Sequence, residues 1–116
     1  MIFELRIYRA IPGKLKPMVD RFGSVTLPIW ERHGIRHVGF WTTLIGPSSQ
    51  QLYYMLAWDS LAEREAKWAA FMADPEWTTK LKASEVDGPM VENIETMFLN
   101  PTDYSVTALQ LGAPKK

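Results

Sequence analysis

Residues 2 to 9 alternate strictly, with Phe3, Leu5 and Ile7 on one side and Glu4, Arg6 and Tyr8 on the other, a period of two that predicts a strand. "IPGK" interrupts the alternation. Beyond it Leu15, Met18, Val19, Phe22, Thr26, Ile29, Trp30 and His33 recur at spacings of three and four, which predicts a long amphipathic helix. Pro28 falls inside that pattern and has no N–H to give the carbonyl of Ser24, so with Gly23 nearby a kink or split is expected around 23–28. Gly34 suits the left-handed position that closes a helix, with Ile35 folding back onto Trp30.

Two segments rich in β-branched and aromatic residues follow, 36–45 "RHVGFWTTLI" and 51–58 "QLYYMLAW", and the turn cluster "GPSSQ" between them predicts a hairpin. Helix returns over about 61–84. Ser60 caps it with Glu63 three residues later, Leu61 opens it, and Asp74-Pro75 restarts it with Trp77 and Leu81 as the apolar stripe. The segment 90–99, "MVENIETMFL", predicts a last strand that ends at Asn100-Pro101. The order βαββαβ predicts an α+β, ferredoxin-like domain over 1–101, a four-stranded antiparallel sheet with its helices on one face. A tail, 102–116, follows; its stretch "YSVTALQL" is compatible with an added strand, tied down across a partner.

Helices on one side leave the other side of the sheet bare, and the hairpin is apolar on both faces. Val38, Phe40 and Leu44 oppose Trp41 and Ile45; Leu52, Leu56 and Trp58 oppose Tyr53, Met55 and Ala57. A bare face of that character predicts sheet-to-sheet pairing of two copies, an isologous homodimer.

Composition narrows the function classes. A chain of 116 residues makes one domain, and 13 basic residues against 13 acidic ones leave no field to draw nucleic acid or an anionic membrane. The lack of cysteine excludes disulfides, thiol nucleophiles and thiolate metal sites and favours a reducing, cytoplasmic setting. The strand-like "MIFELRIYRA" has no signal-peptide pattern, and no apolar run has the length of a membrane span, so a soluble protein is expected.

Chemistry-bearing side chains are few. His33 sits on the apolar stripe of the first helix, and Glu65 falls among Leu61, Trp68, Ala69 and Met72, where an unpaired carboxylate would be desolvated. With Tyr8, these are the candidate catalytic residues. Trp30, Trp41, Tyr54, Trp58 and Trp68 are the candidate walls of a ligand pocket. Glu4, Arg6 and Glu95 are expected to pair on the sheet under the dimer contact. His33 and His37 are separated by Gly34, and no third ligand stands at a recognisable spacing, so no metal site is expected. Neither a phosphate-cradling glycine loop nor a nucleophile elbow is present, and no tightly bound cofactor is expected.

"FELRIYRAIPGKL", "LPIWERHG", "VGFWTTLIGPSSQ", "WDSLAERE" and "ADPEW", taken in order, resemble the NIPSNAP family over about residues 3–100. The resemblance implies a dimeric α+β barrel, in which a ferredoxin-like domain pairs through its sheet. It carries no catalytic motif and leaves the activity open. Two functions are therefore expected. One is the binding or transformation of a small apolar or aromatic molecule between helices and sheet, with His33 or Glu65 as general base and Tyr8, Trp41 and Trp58 as orienting groups. The alternative is a non-enzymatic dimeric interaction module; a haem-binding variant would need an imidazole facing an open pocket.

Overall fold

The computed structural model of the protein describes residues 1–106 and 110–111. Strand β1 (Ile2–Ala10) leads into a continuous helical segment made of α1 (Leu15–Arg21), a π-helical turn (Phe22–Thr26) and α2 (Leu27–His33). The hairpin β2 (Arg36–Thr42) and β3 (Gln51–Trp58) is followed by α3 (Leu61–Met72), α4 (Pro75–Ser84) and β4 (Val91–Leu99). The sheet order is β2-β3-β1-β4 with every neighbouring pair antiparallel, so the ferredoxin-like α+β fold expected from the element order is the fold observed.

The interruption expected at Pro28 takes a different form. The chain stays helical through it, widening so that Leu27 N–H reaches back five residues to the Phe22 carbonyl, and Pro28 falls in the first turn of α2. The helix closes as expected, on Gly34 at φ 68° with Ile35 N–H donating to the Trp30 carbonyl at 3.0 Å. Ser60 and Asp74 are the N-caps of α3 and α4, accepting from Glu63 N–H and Glu76 N–H. Glu63 answers one residue earlier than a capping box would have it, accepting from Asp59 N–H at 2.9 Å.

Between helices and sheet lies a core of stacked rings. Trp30 is its centre, with the rings of Phe22, Phe40, Tyr54, Trp68 and Phe71 all within 6.1 Å of it, centroid to centroid. On the other side of the sheet the strand registers align Leu5, Met55 and Met97 in one row, and Phe3, Ala57 and Leu99 in the next. None of the helices α1 to α4 covers these rows; Phe3 and Ala57 are buried there, with Met1, Val38, Met55 and Leu111 packed against them. Trp41 is half exposed there, its indole folded over Gly39 so closely that a Cβ at Gly39 would meet the ring at 2.8 Å.

The first hairpin strand, β2, is shorter than its composition predicts. Leu44 and Ile45, expected at the end of β2, are 95% exposed in the loop after it, where the pairing has ended at Thr42 ahead of the "GPSS" cluster. The strand expected over "YSVTALQL" includes residues 107–109, which lie outside the described residues; Val106 and Gln110, on either side, are helical.

Candidate functional site

The period of two in β1 has a consequence for chemistry, because it is the polar side, Glu4, Arg6 and Tyr8, that the helices cover. Across the register these residues share a face with Leu56, Tyr54 and Leu52 of β3 and with Phe98, Thr96 and Ile94 of β4. Glu95, aligned with Ile7, lies on the opposite, uncovered face. Glu4 and Arg6 therefore pair inside each chain rather than under a sheet-to-sheet contact with Glu95, which corrects the expectation.

Every nitrogen of the Arg6 guanidinium is engaged. Its Nε donates to the Tyr54 hydroxyl at 2.6 Å, Nη1 to Glu4 at 2.9 Å and to Thr96 at 3.2 Å, and Nη2 to the Tyr8 hydroxyl at 3.0 Å. Trp68 lies against the guanidinium at 4.8 Å. Burial works against the Arg6 charge, but Tyr54, Tyr8 and Glu4 outweigh it and its pKa is raised. The Tyr54 phenol is pushed well above its ordinary value, chiefly by burial and by Tyr8, so it stays protonated and donates to Tyr8 at 3.2 Å. Fully buried Glu4 also accepts from Trp58 Nε1 at 3.0 Å and from both Arg64 Nε and Nη2 at 3.2 and 3.3 Å.

Beside this network is a cavity of about 260 Å³, walled mainly by carbon. The first helical segment contributes Arg21, Phe22, Thr26 and Trp30; α3 contributes Trp68, Phe71 and Met72; α4 contributes Trp77 and Leu81. Arg6, Tyr8, Val91 and Ile94 form the sheet side, and Glu85 follows α4. The wide turn has a direct role here: with more residues per turn, Phe22 and Thr26, four apart, come closer to alignment than in an α-helix, between Arg21 before them and Trp30 after. Met72 and Ile94, both partly exposed, stand where the cavity meets solvent.

The polar atoms of this cavity are conspicuously unpaired. Arg21 Nε, Thr26 Oγ1, Trp30 Nε1 and Trp77 Nε1 are all buried without a hydrogen-bond partner, and all four residues line the cavity. Arg21 is only 7% exposed; its Nη1 donates to Ser84 Oγ at 3.2 Å, and its nearest carboxylate, Glu85, is 4.0 Å from that same atom. Burial lowers the Arg21 pKa and Glu85 and Tyr8 only partly offset it, the opposite balance from Arg6.

Among the sequence candidates, Tyr8, Trp30 and Trp68 line this cavity. Tyr54 and Trp58 are buried behind it, holding Arg6 and Glu4, and Trp41 lies on the uncovered side of the sheet. His33 does not reach the cavity: its Nε2 is 2.7 Å from Asp74 Oδ2, joining the end of α2 to the cap of α4. Glu65 is exposed, because α3 turns Arg64, Trp68 and Phe71 inward while Leu61 and Met72 stay in solvent. An arginine can hold that inward position because it meets buried Glu4. Neither His33 nor Glu65 is thus placed as a general base on a molecule in the cavity, and neither imidazole is offered to it, His37 being exposed on β2.

Sequence reasoning missed Arg21 and Thr26 as partners. A signal existed, since Arg21 follows Met18 by three and so rides the edge of the apolar stripe, where a cation needs a reason. No group of three His, Asp or Glu that could hold a metal ion is found among the described residues, and no helix among them is long and apolar enough to cross a membrane.

The sequence model of the NIPSNAP family matches residues 3–106. Comparison with curated proteins gives no match. Among solved structures, an uncharacterised NIPSNAP domain protein from Burkholderia xenovorans is similar at 27% identity and a TM-score of 0.78, over 90% of this chain and 97% of that one. A NIPSNAP family protein of unknown function from Agrobacterium tumefaciens is similar at 27% identity and a TM-score of 0.81, over 92% of this chain and 93% of that one. A putative antibiotic biosynthesis monooxygenase from Deinococcus radiodurans, at 12% identity and a TM-score of 0.58 over 88% and 93% of the two chains, shares the fold alone.

Proposed function

The chain belongs to the NIPSNAP family, and on that footing we propose that it binds a small, flat, apolar molecule in the cavity between its helices and sheet. The observation that carries this reading is the cavity itself, about 260 Å³ walled by Phe22, Trp30, Trp68, Phe71 and Trp77 in a core otherwise filled by close ring packing. Close packing is the rule for a domain interior, and a space of this size suits a ligand of one or two rings. Tyr8, held by Arg6 and Tyr54, is the polar group that would meet such a molecule from the sheet side. Three indoles line the space, so binding would report itself in tryptophan fluorescence. Titration with two-ring aromatics should give saturable quenching that Phe71→Ala or Trp68→Ala changes; no saturable signal from any of them would remove the reading.

The second part of the proposal is a homodimer through the uncovered sheet face. Leu5, Ile7, Met55, Met97 and Leu99 lie together on that face by register, and Trp41 covers part of it. A contiguous apolar area of this kind favours burial against a second copy.

A further inference from the structure

We propose that the molecule held in this cavity carries a carboxylate, and that Arg21 receives it. The inference rests on the reading of the cavity as a ligand site and adds to it the chemistry of the ligand's polar end.

The argument begins with the contrast between the two arginines of the cavity wall. Arg6 has committed four of its five N–H donors to Tyr54, Glu4, Thr96 and Tyr8, with every nitrogen bonded and a carboxylate at 2.9 Å, so it is a structural cation already paired. Arg21 is as deeply buried, yet its Nε has no acceptor and its nearest carboxylate stands at 4.0 Å on the far side of the guanidinium, at Nη1. A buried cation with an open donor is costly, and protein interiors rarely leave one so unless an anion completes it.

The neutral groups agree with the charge. Trp30 Nε1 and Trp77 Nε1 can only donate, and the Thr26 hydroxyl can; all are at least nine-tenths buried, line the same cavity and lack a partner. Buried indole N–H groups ordinarily find an acceptor. Against them the cavity presents one carboxylate of its own, Glu85 at its edge. A group of donors around one open guanidinium edge, in a space otherwise lined by rings and aliphatic carbon, matches a planar, singly charged acceptor attached to an apolar body. A carboxylate has that geometry, and a guanidinium edge is its usual partner.

The test compares naphthalene-2-carboxylate with its neutral isostere naphthalene-2-carboxamide by calorimetry on the full chain. The carboxylate should bind at least about tenfold more tightly, and Arg21→Gln should bring the two within about threefold of one another by weakening the acid and sparing the amide, with Arg21→Lys restoring part of the preference. Equal binding of the two probes, or a preference that survives Arg21→Gln, would overturn the assignment while leaving the pocket reading intact; binding of neither probe would remove both. Should Arg21→Gln not fold, near-isosteric Thr26→Val serves in its place: the preference for the acid should fall about threefold, because a hydrogen bond to an ionised acceptor is the stronger one. An unchanged preference in that variant counts against the proposal.

Discussion

The indole N–H of Trp58, the last residue of β3, donates across 3.0 Å to Oε1 of Glu4, a carboxylate with no exposure to solvent. A tryptophan that looks in sequence like packing at a strand end is therefore also a hydrogen-bond donor to the most deeply buried charge among the described residues. Arg6 and Arg64 approach the same carboxylate, so that β1, β3 and α3 are joined at one side chain. The network is built from residues up to 90 positions apart, the span of the hydrogen bond from Arg6 to Thr96.

Glu4→Ala leaves Arg6 buried without its carboxylate and takes the acceptor from Trp58. Removing one member of a buried pair costs about 3–5 kcal/mol, and urea denaturation should show a midpoint shift of that size. Glu4→Gln, which keeps the shape and one acceptor, should cost less; a loss under about 1 kcal/mol in Glu4→Ala would mean that the network contributes little.

Sheet-to-sheet pairing predicts that a charge on the uncovered face separates the copies. Met97→Glu, on β4 and directly beside Leu5, should convert a dimer to a monomer by light scattering without altering the far-ultraviolet circular dichroism. A wild-type chain that runs as a monomer at micromolar concentration would refute the pairing outright.

Asp74 predicts a dependence on acid. The hydrogen bond to His33, the Glu76 N–H and the Arg32 guanidinium bring its carboxyl down from 3.8 to about 2. A folded pKa below the unfolded one means that the unfolded chain binds the proton more readily, so the stabilisation is present above about pH 4 and drains away as the pH falls towards 2. Asp74→Asn should flatten the stability profile in that window, and an unchanged acid limb would show that other carboxylates govern it.

Ser60→Ala removes the acceptor of Glu63 N–H at the start of α3. A loss of about 1 kcal/mol, read as a lowered melting temperature, is the ordinary cost of such a cap. Because α3 carries Arg64 and Trp68, the same variant should also weaken any ligand bound in the cavity.

Local signals in the chain were sufficient for the architecture. Alternation marked β1, Ser60 and Asp74 marked their helix starts, Gly34 marked the helix end, and the element order then led to the sheet. What the pattern did not carry was the choice of side. Phe3, Leu5 and Ile7 are the apolar half of β1, and apolarity alone assigns them to the main core; the helices instead cover Glu4, Arg6 and Tyr8. That choice becomes favourable only when Tyr54, Trp58 and Arg64 arrive to satisfy the charges, and these are tertiary neighbours that periodicity does not encode. Glu65 illustrates the same limit from the other direction. It shares a face of the helix wheel with Leu61, Trp68, Ala69 and Met72, but α3 settles on Arg64 and Phe71, and Glu65 turns to solvent.

The π-helical turn at Phe22–Thr26 has one more effect. A wide turn is equivalent to one residue spliced into a regular helix, and it sets the half that follows back in phase by roughly 100° relative to the half before. Met18 and Phe22 on one half and Ile29 and Trp30 on the other can thereby all be buried, although an unbroken helix would place Trp30 about a third of a turn away from Met18. Deleting a single residue such as Gly23 would give back a regular helix with Ile29, Trp30 and the contact of His33 with Asp74 in their present phase, whereas a regular helix that kept every residue would rotate all three out of place together. The first helix thus buries both of its halves only because the wide turn absorbs one residue, and the splice is what lets one segment wall the cavity from Arg21 to Trp30.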